Sequence, residues 1–96
     1  MRLSPQIAEK LVSLAKENFG EDCKLYLFGS RVDDSKKGGD IDLLLLTNKK
    51  ITLEEKWAIK RKIHSLIGEQ KIDIVNFTHT EEDTFKDIIL EDAILL

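Results

Sequence analysis

Lys24-Leu25-Tyr26-Leu27-Phe28-Gly29-Ser30 and Gly39-Asp40-Ile41-Asp42-Leu43-Leu44-Leu45-Leu46 are the two stretches on which the fold of this chain turns. Lys24 to Phe28 is dense in aromatic and branched apolar residues, which reads as a strand, and it runs directly into Gly29-Ser30. Asp33 to Gly39 is polar and ends in two glycines, the composition of a loop. Asp40 to Leu46 reads as a second strand. Its unbroken run of four leucines has no polar side to turn to water, so this strand is expected to be buried on both faces and central in its sheet.

The flanking sequence supplies helices and a third strand. Ser4 as N-cap and Pro5 at the first helical position open a helix in which Ile7, Leu11 and Leu14 form an apolar face, with Gly20 as its stop. Thr52 and Glu55 form a capping box. The helix behind it carries a core stripe of Ile59, Ile63, Leu66 and Ile67, widened by Leu53 and Trp57, and ends at Gly68. Lys71 to Phe77 is the third strand. Thr80 is expected to cap a last helix that runs through Phe85, Ile88 and Ile89 toward the C-terminus. The order α-β-(turn)-β-α-β-α allows an antiparallel first pair and a parallel partner after the intervening helix. A small mixed α/β sheet of three or more strands, with helices packed on it, is the expected fold class.

The composition narrows the function. With 96 residues the chain is read as a single domain, residues 1–96. A net charge of −3 provides no general attraction for nucleic acid, so direct nucleic-acid binding is not expected. Cys23 is the sole cysteine, which excludes an intrachain disulfide. No signal peptide is evident, and the longest apolar runs are far too short to span a bilayer. A cytoplasmic location without membrane association is the expectation.

Three elements point to chemistry. Asp40 and Asp42 stand two apart on a strand, so both side chains point to one face. Neighbouring carboxylates repel, and a cation between them relieves the repulsion. Their hard oxygens suit magnesium. An Asp-rich turn entering a strand accounts for the same three residues, and alone the pattern decides nothing. Gly29-Ser30 after a buried strand lets backbone approach a phosphate, though Gly-Ser is also a common turn. Asp73 is a lone charge in the apolar run Ile72 to Phe77; it either faces solvent on an edge strand or joins Asp40 and Asp42. Alternation puts Asp73, Val75 and Phe77 on one face and Ile72, Ile74 and Asn76 on the other. Arg31, Lys36 and Lys37 lie in the loop and read as solvated charge. His64 and His79 read as ordinary surface residues, Cys23 as a small buried filler, and Trp57 as core.

Phe28-Gly29-Ser30-Arg31 followed by Gly39-Asp40-Ile41-Asp42-Leu43-Leu44 resembles the signature of the polymerase-beta-like nucleotidyltransferase superfamily. The small size is similar to its minimal (MNT) branch, often encoded beside a HEPN-domain partner. The spacer between Ser30 and Asp40 is nine residues, one fewer than in many minimal members. Its Arg31-Val32-Asp33-Asp34 also replaces their Arg-Ala-Arg-Gly-like run, so this loop is expected to close differently over a triphosphate.

The resemblance implies the nucleotidyltransferase fold and a role for each site residue. Gly29 and Ser30 would bind the outer phosphates of ATP or another nucleoside triphosphate. Asp40, Asp42 and Asp73 would be both catalytic and metal-binding, holding two Mg2+ ions, with Mn2+ as the substitute. Asp73 would also help deprotonate the acceptor hydroxyl. The implied activity is transfer of AMP from ATP onto a hydroxyl of a partner protein, with a HEPN-domain toxin as partner and this chain as antitoxin. Two alternatives stand beside it: a non-catalytic module that neutralises a partner by docking, and an enzyme that modifies a small molecule such as an aminoglycoside. The apolar ending Ala93-Ile94-Leu95-Leu96 is read as a partner-docking or self-association surface, giving a homo-oligomer. The competing reading is that it folds back on the sheet.

Overall fold

The four leucines of the second strand lie where their pattern puts them, at the centre of a sheet. In the computed structural model, which describes residues 3–29, 40–68 and 70–96, the elements run α1 (Pro5–Phe19), β1 (Lys24–Phe28), β2 (Ile41–Thr47), α2 (Leu53–Ile67), β3 (Ile72–Thr78), α3 (Thr84–Asp92) and β4 (Ile94–Leu95). The strand order is β3-β2-β1-β4. β1 pairs antiparallel with β2, and β2 pairs parallel with β3 across the α2 crossover. Both directions agree with the connection lengths.

The two faces of β2 enter two separate cores. Ile41, Leu43 and Leu45 pack with Leu25 and Leu27 of β1 and Ile72 and Ile74 of β3, under Leu11 and Ala15 of α1 and Ile59 and Ile63 of α2. Leu44 and Leu46 pack on the opposite side with Phe77 and with Ile89 of α3. β2 therefore shows no hydrophobic-polar alternation, because neither side meets water. Both capping expectations for α1 and α2 hold: Ser4 accepts from the Ile7 N–H, and Thr52 and Glu55 form the reciprocal box. Cys23 is buried as expected.

Four expectations need correction. Leu53 and Trp57 are 69% and 54% exposed and do not widen the α2 core stripe, and Leu66, placed within that stripe, is exposed as well. Ile59 and Ile63 define the buried face, and Trp57, two positions from Ile59, lies about 200° round the helix, where Lys60 reaches over its ring. Thr80 does not cap α3; Asp83 does, accepting from the Phe85 and Lys86 N–H groups. Nor is the C-terminus helical. Ala93 is extended (φ −66°, ψ 147°), and Ile94–Leu95 forms β4, antiparallel beside β1. Without it, β1 would present an unpaired edge. The Leu96 N–H donates to Leu25 O at 2.9 Å and its side chain joins the core beneath α1, while Leu95 is 56% exposed. Finally, His79 is not an ordinary surface residue: its Nε2 is buried and has no hydrogen-bond partner among the described residues.

Candidate active site

Three chain segments meet at one end of the sheet. The antiparallel register sets Phe28 opposite Asp42, and the parallel register sets Asp42 opposite Asp73. Asp42 shares the side of Leu44 and Leu46, and Asp73 the side of Val75 and Phe77, so both carboxylates rise on the α3 side of the sheet. Asp40 stands one residue before β2. Asp73 is exposed on an edge strand and Asp42 is half-buried. Edge position accounts for the tolerance of a charge in β3; the register accounts for its facing Asp42.

Gly29 closes the row from the β1 side. Its φ of +77° lies where side chains are strained. A Cβ placed there would run into Asp42 Oδ2 and lie 3.1 Å from Asp42 Cγ. The glycine is therefore required twice, for its dihedral and for the space it leaves to the carboxylate. Gly29→Ala should cost about 1–3 kcal/mol of stability and displace Asp42. A thermal melt and a crystal structure of the variant would check this; an unshifted Asp42 with unchanged stability would contradict it.

The electrostatics follow from the crowding. Burial raises the pKa of Asp42 above its ordinary value, the neighbouring Asp73 and then Asp40 raise it further, and Lys71 opposes them. Lys71 Nζ lies 3.5 Å from Asp40 Oδ2. Among the described residues no group of three or more acidic, histidine or cysteine side chains is drawn together as a metal cluster. Repulsion among carboxylates without a counter-charge and the pairing of Asp40 with Lys71 both act against such convergence. The donor set nevertheless fits a hard divalent cation. Its ligands are carboxylate oxygens, and a cation is already drawn to them in the form of the lysine.

Lys71 is the residue that the sequence reading passed over. Its signal was its position two before Asp73 on the same strand run, which puts both on one side. Ser30, Arg31, Lys36 and Lys37 lie outside the described residues. His64 is exposed with Nε2 2.8 Å from Gln70 O, His79 follows the opposite end of β3 from Asp73, and Trp57 sits on α2, away from this row.

A sequence profile of the family described as Polymerase beta, Nucleotidyltransferase matches residues 9–96. The chain belongs to this family. Its enzyme class is accordingly nucleotidyltransferase, and Gly29, Asp42 and Asp73 all fall within the matched residues. No curated protein sequence matches the chain. Among solved structures, this nucleotidyltransferase is similar to a chain in the complex of the tri-AMPylated HEPN toxin with MNT antitoxin from Shewanella oneidensis. The identity is 19% and the TM-score 0.71, over 94% of this chain and 68% of the other. It is similar to a chain of a mutant MntA-HpeT toxin-antitoxin pair at 17% identity and TM-score 0.75, covering 92% and 70%. A toxin-antitoxin crystal structure with AMP-PNP matches at 19% identity and TM-score 0.75, over the same shares. At these identities the likeness is one of fold. Among the described residues no helix is long and apolar enough to cross a membrane.

Proposed function

We propose that this nucleotidyltransferase moves AMP from ATP onto a side-chain hydroxyl of a partner protein, a HEPN-domain toxin, and so acts as the antitoxin of the pair. The observation that carries the reading is the registration of Asp42 beside Asp73, next to a glycine that leaves room for the Asp42 carboxylate. A paired carboxylate set of this kind is costly unless a cation offsets it. The similar solved complexes, one with an AMPylated toxin and one with AMP-PNP, support the partner and the nucleotide.

In this reading Gly29 and Ser30 hold the outer phosphates, and Asp40, Asp42 and Asp73 hold two Mg2+ ions. Bound magnesium would supply positive charge to the phosphoryl oxygens and to the departing pyrophosphate. Asp73, exposed at the sheet edge, is open to an incoming acceptor and accepts its hydroxyl proton. The acceptor oxygen then bonds to the α-phosphorus as the bond to the pyrophosphate oxygen breaks.

Intact mass spectrometry tests this directly. The chain is incubated with ATP, Mg2+ and the product of the adjacent gene, and both proteins are weighed. Addition of one or more AMP units to the partner is the expected result. Neutralisation of the partner with no mass gain would establish the docking module instead. Modification of a small molecule alone would establish the third reading.

A further inference from the structure

We propose that Lys71 is the standing counter-ion of the carboxylate row, holding Asp40 before loading and competing with the divalent cation that arrives. This rests on the reading of Asp40, Asp42 and Asp73 as the metal holders. The main chain of Lys71 is anchored, because the Ile41 N–H donates to Lys71 O at 3.0 Å as the first rung between β2 and β3. That rung fixes where the side chain starts, and alternation sends it to the same side as Asp73. Its ammonium then reaches to 3.5 Å from Asp40 Oδ2. Its charge also acts on Asp42, against burial and against both other carboxylates.

The side chain is 71% exposed, so an exposed pair of this kind adds little to stability. Its consequence falls on the next charge to approach. An ammonium beside Asp40 repels a divalent cation and occupies an oxygen that the cation needs. The open stem lets the lysine swing into solvent when the cation binds. Lys71 is thus a positioning residue that sets metal affinity.

The test is titration of the nucleotide-free full chain with Mn2+, following free Mn2+ by electron paramagnetic resonance. Wild type, Lys71→Gln, Lys71→Arg and Asp42→Asn are compared. Lys71→Gln should bind Mn2+ about three- to tenfold more tightly than wild type, from loss of one nearby positive charge. Lys71→Arg should stay near wild type, and the gain of the glutamine variant should shrink at about 0.5 M salt. Equal or weaker Mn2+ binding by Lys71→Gln overturns the proposal. So does an unchanged Mn2+ affinity with a weakened affinity for metal-bound ATP, which would make Lys71 a phosphate contact. Asp42→Asn separates the two levels. If it binds Mn2+ as well as wild type, the cation is held elsewhere and both readings fall. If it loses Mn2+ while Lys71→Gln gains nothing, only the counter-ion role fails.

Discussion

Asp42→Asn should lose nucleotidyl transfer by about a thousandfold or more, roughly 4 kcal/mol of barrier, while the metal-free protein becomes more stable. The two effects have one cause. Asp42 is half-buried between Asp40 and Asp73, on the strand that forms the middle of the sheet. The amide keeps the shape of the carboxylate and removes its charge, so packing on the Leu44 side is preserved and the repulsion across to Asp73 disappears. Like charges directly opposite on neighbouring strands cost up to about 1 kcal/mol, and that is the stabilisation expected.

The pH dependence has a definite sign. The folded state holds the Asp42 proton more tightly than the unfolded chain does. Stability from this group is therefore full below the ordinary carboxylate range and falls as pH rises through the raised value. The wild type should lose stability over that window without metal, and the asparagine variant should not. Denaturant melts at several pH values, with and without Mg2+, read the effect. Full transfer by the variant would remove Asp42 from the site, and a pH profile identical to wild type would mean that burial and its neighbours do not raise the proton affinity of Asp42.

Lys86→Ala should be strongly destabilising, at about 3 kcal/mol and a fall in Tm of roughly 12–24 °C. Lys86 is only 7% exposed. Its ammonium donates to three carbonyls, Thr78 O at 3.1 Å, His79 O at 2.9 Å and Glu81 O at 2.8 Å. These carbonyls run from the last residue of β3 into the turn before α3, where the regular ladder has ended. The same turn is closed by reciprocal bonds between Thr78 and Glu81, at 3.0 Å in each direction. Truncation removes the donor from all three carbonyls and opens space beside α3. Lys86→Met keeps the stem and should fall between wild type and alanine. A loss below about 1 kcal/mol for the alanine variant would mean that water replaces the ammonium at little cost.

Residues with a periodic or locally bonded signature were legible before any coordinates. The four leucines of β2 could only be central, the Ser4 and Thr52 caps close bonds within three residues, and the connections allowed an antiparallel first pair and a parallel partner for β2. Asp40, Asp42 and Asp73 stood out because a charge inside an apolar strand is locally anomalous. Other features were not legible, because they depend on which strands become neighbours. Gly29 looked like a phosphate turn; that its missing Cβ makes room for Asp42 follows only from the pairing of β1 with β2. Lys71 was one surface lysine among many until the β2–β3 register set it beside Asp40. The apolar ending read as helix or as docking surface; the open edge of β1 made Ile94–Leu95 a strand. Lys86 carries a charge that any local rule would send to water, and only the ring of turn carbonyls around it makes burial the lower-energy state. What sequence alone determined were the three helices, the first three strands and the acidic candidates for the site, since alternation, capping and charge act over a few residues. The tertiary structure decided the counter-ion, the last strand and the buried lysine, since each depends on contacts between segments far apart in the chain.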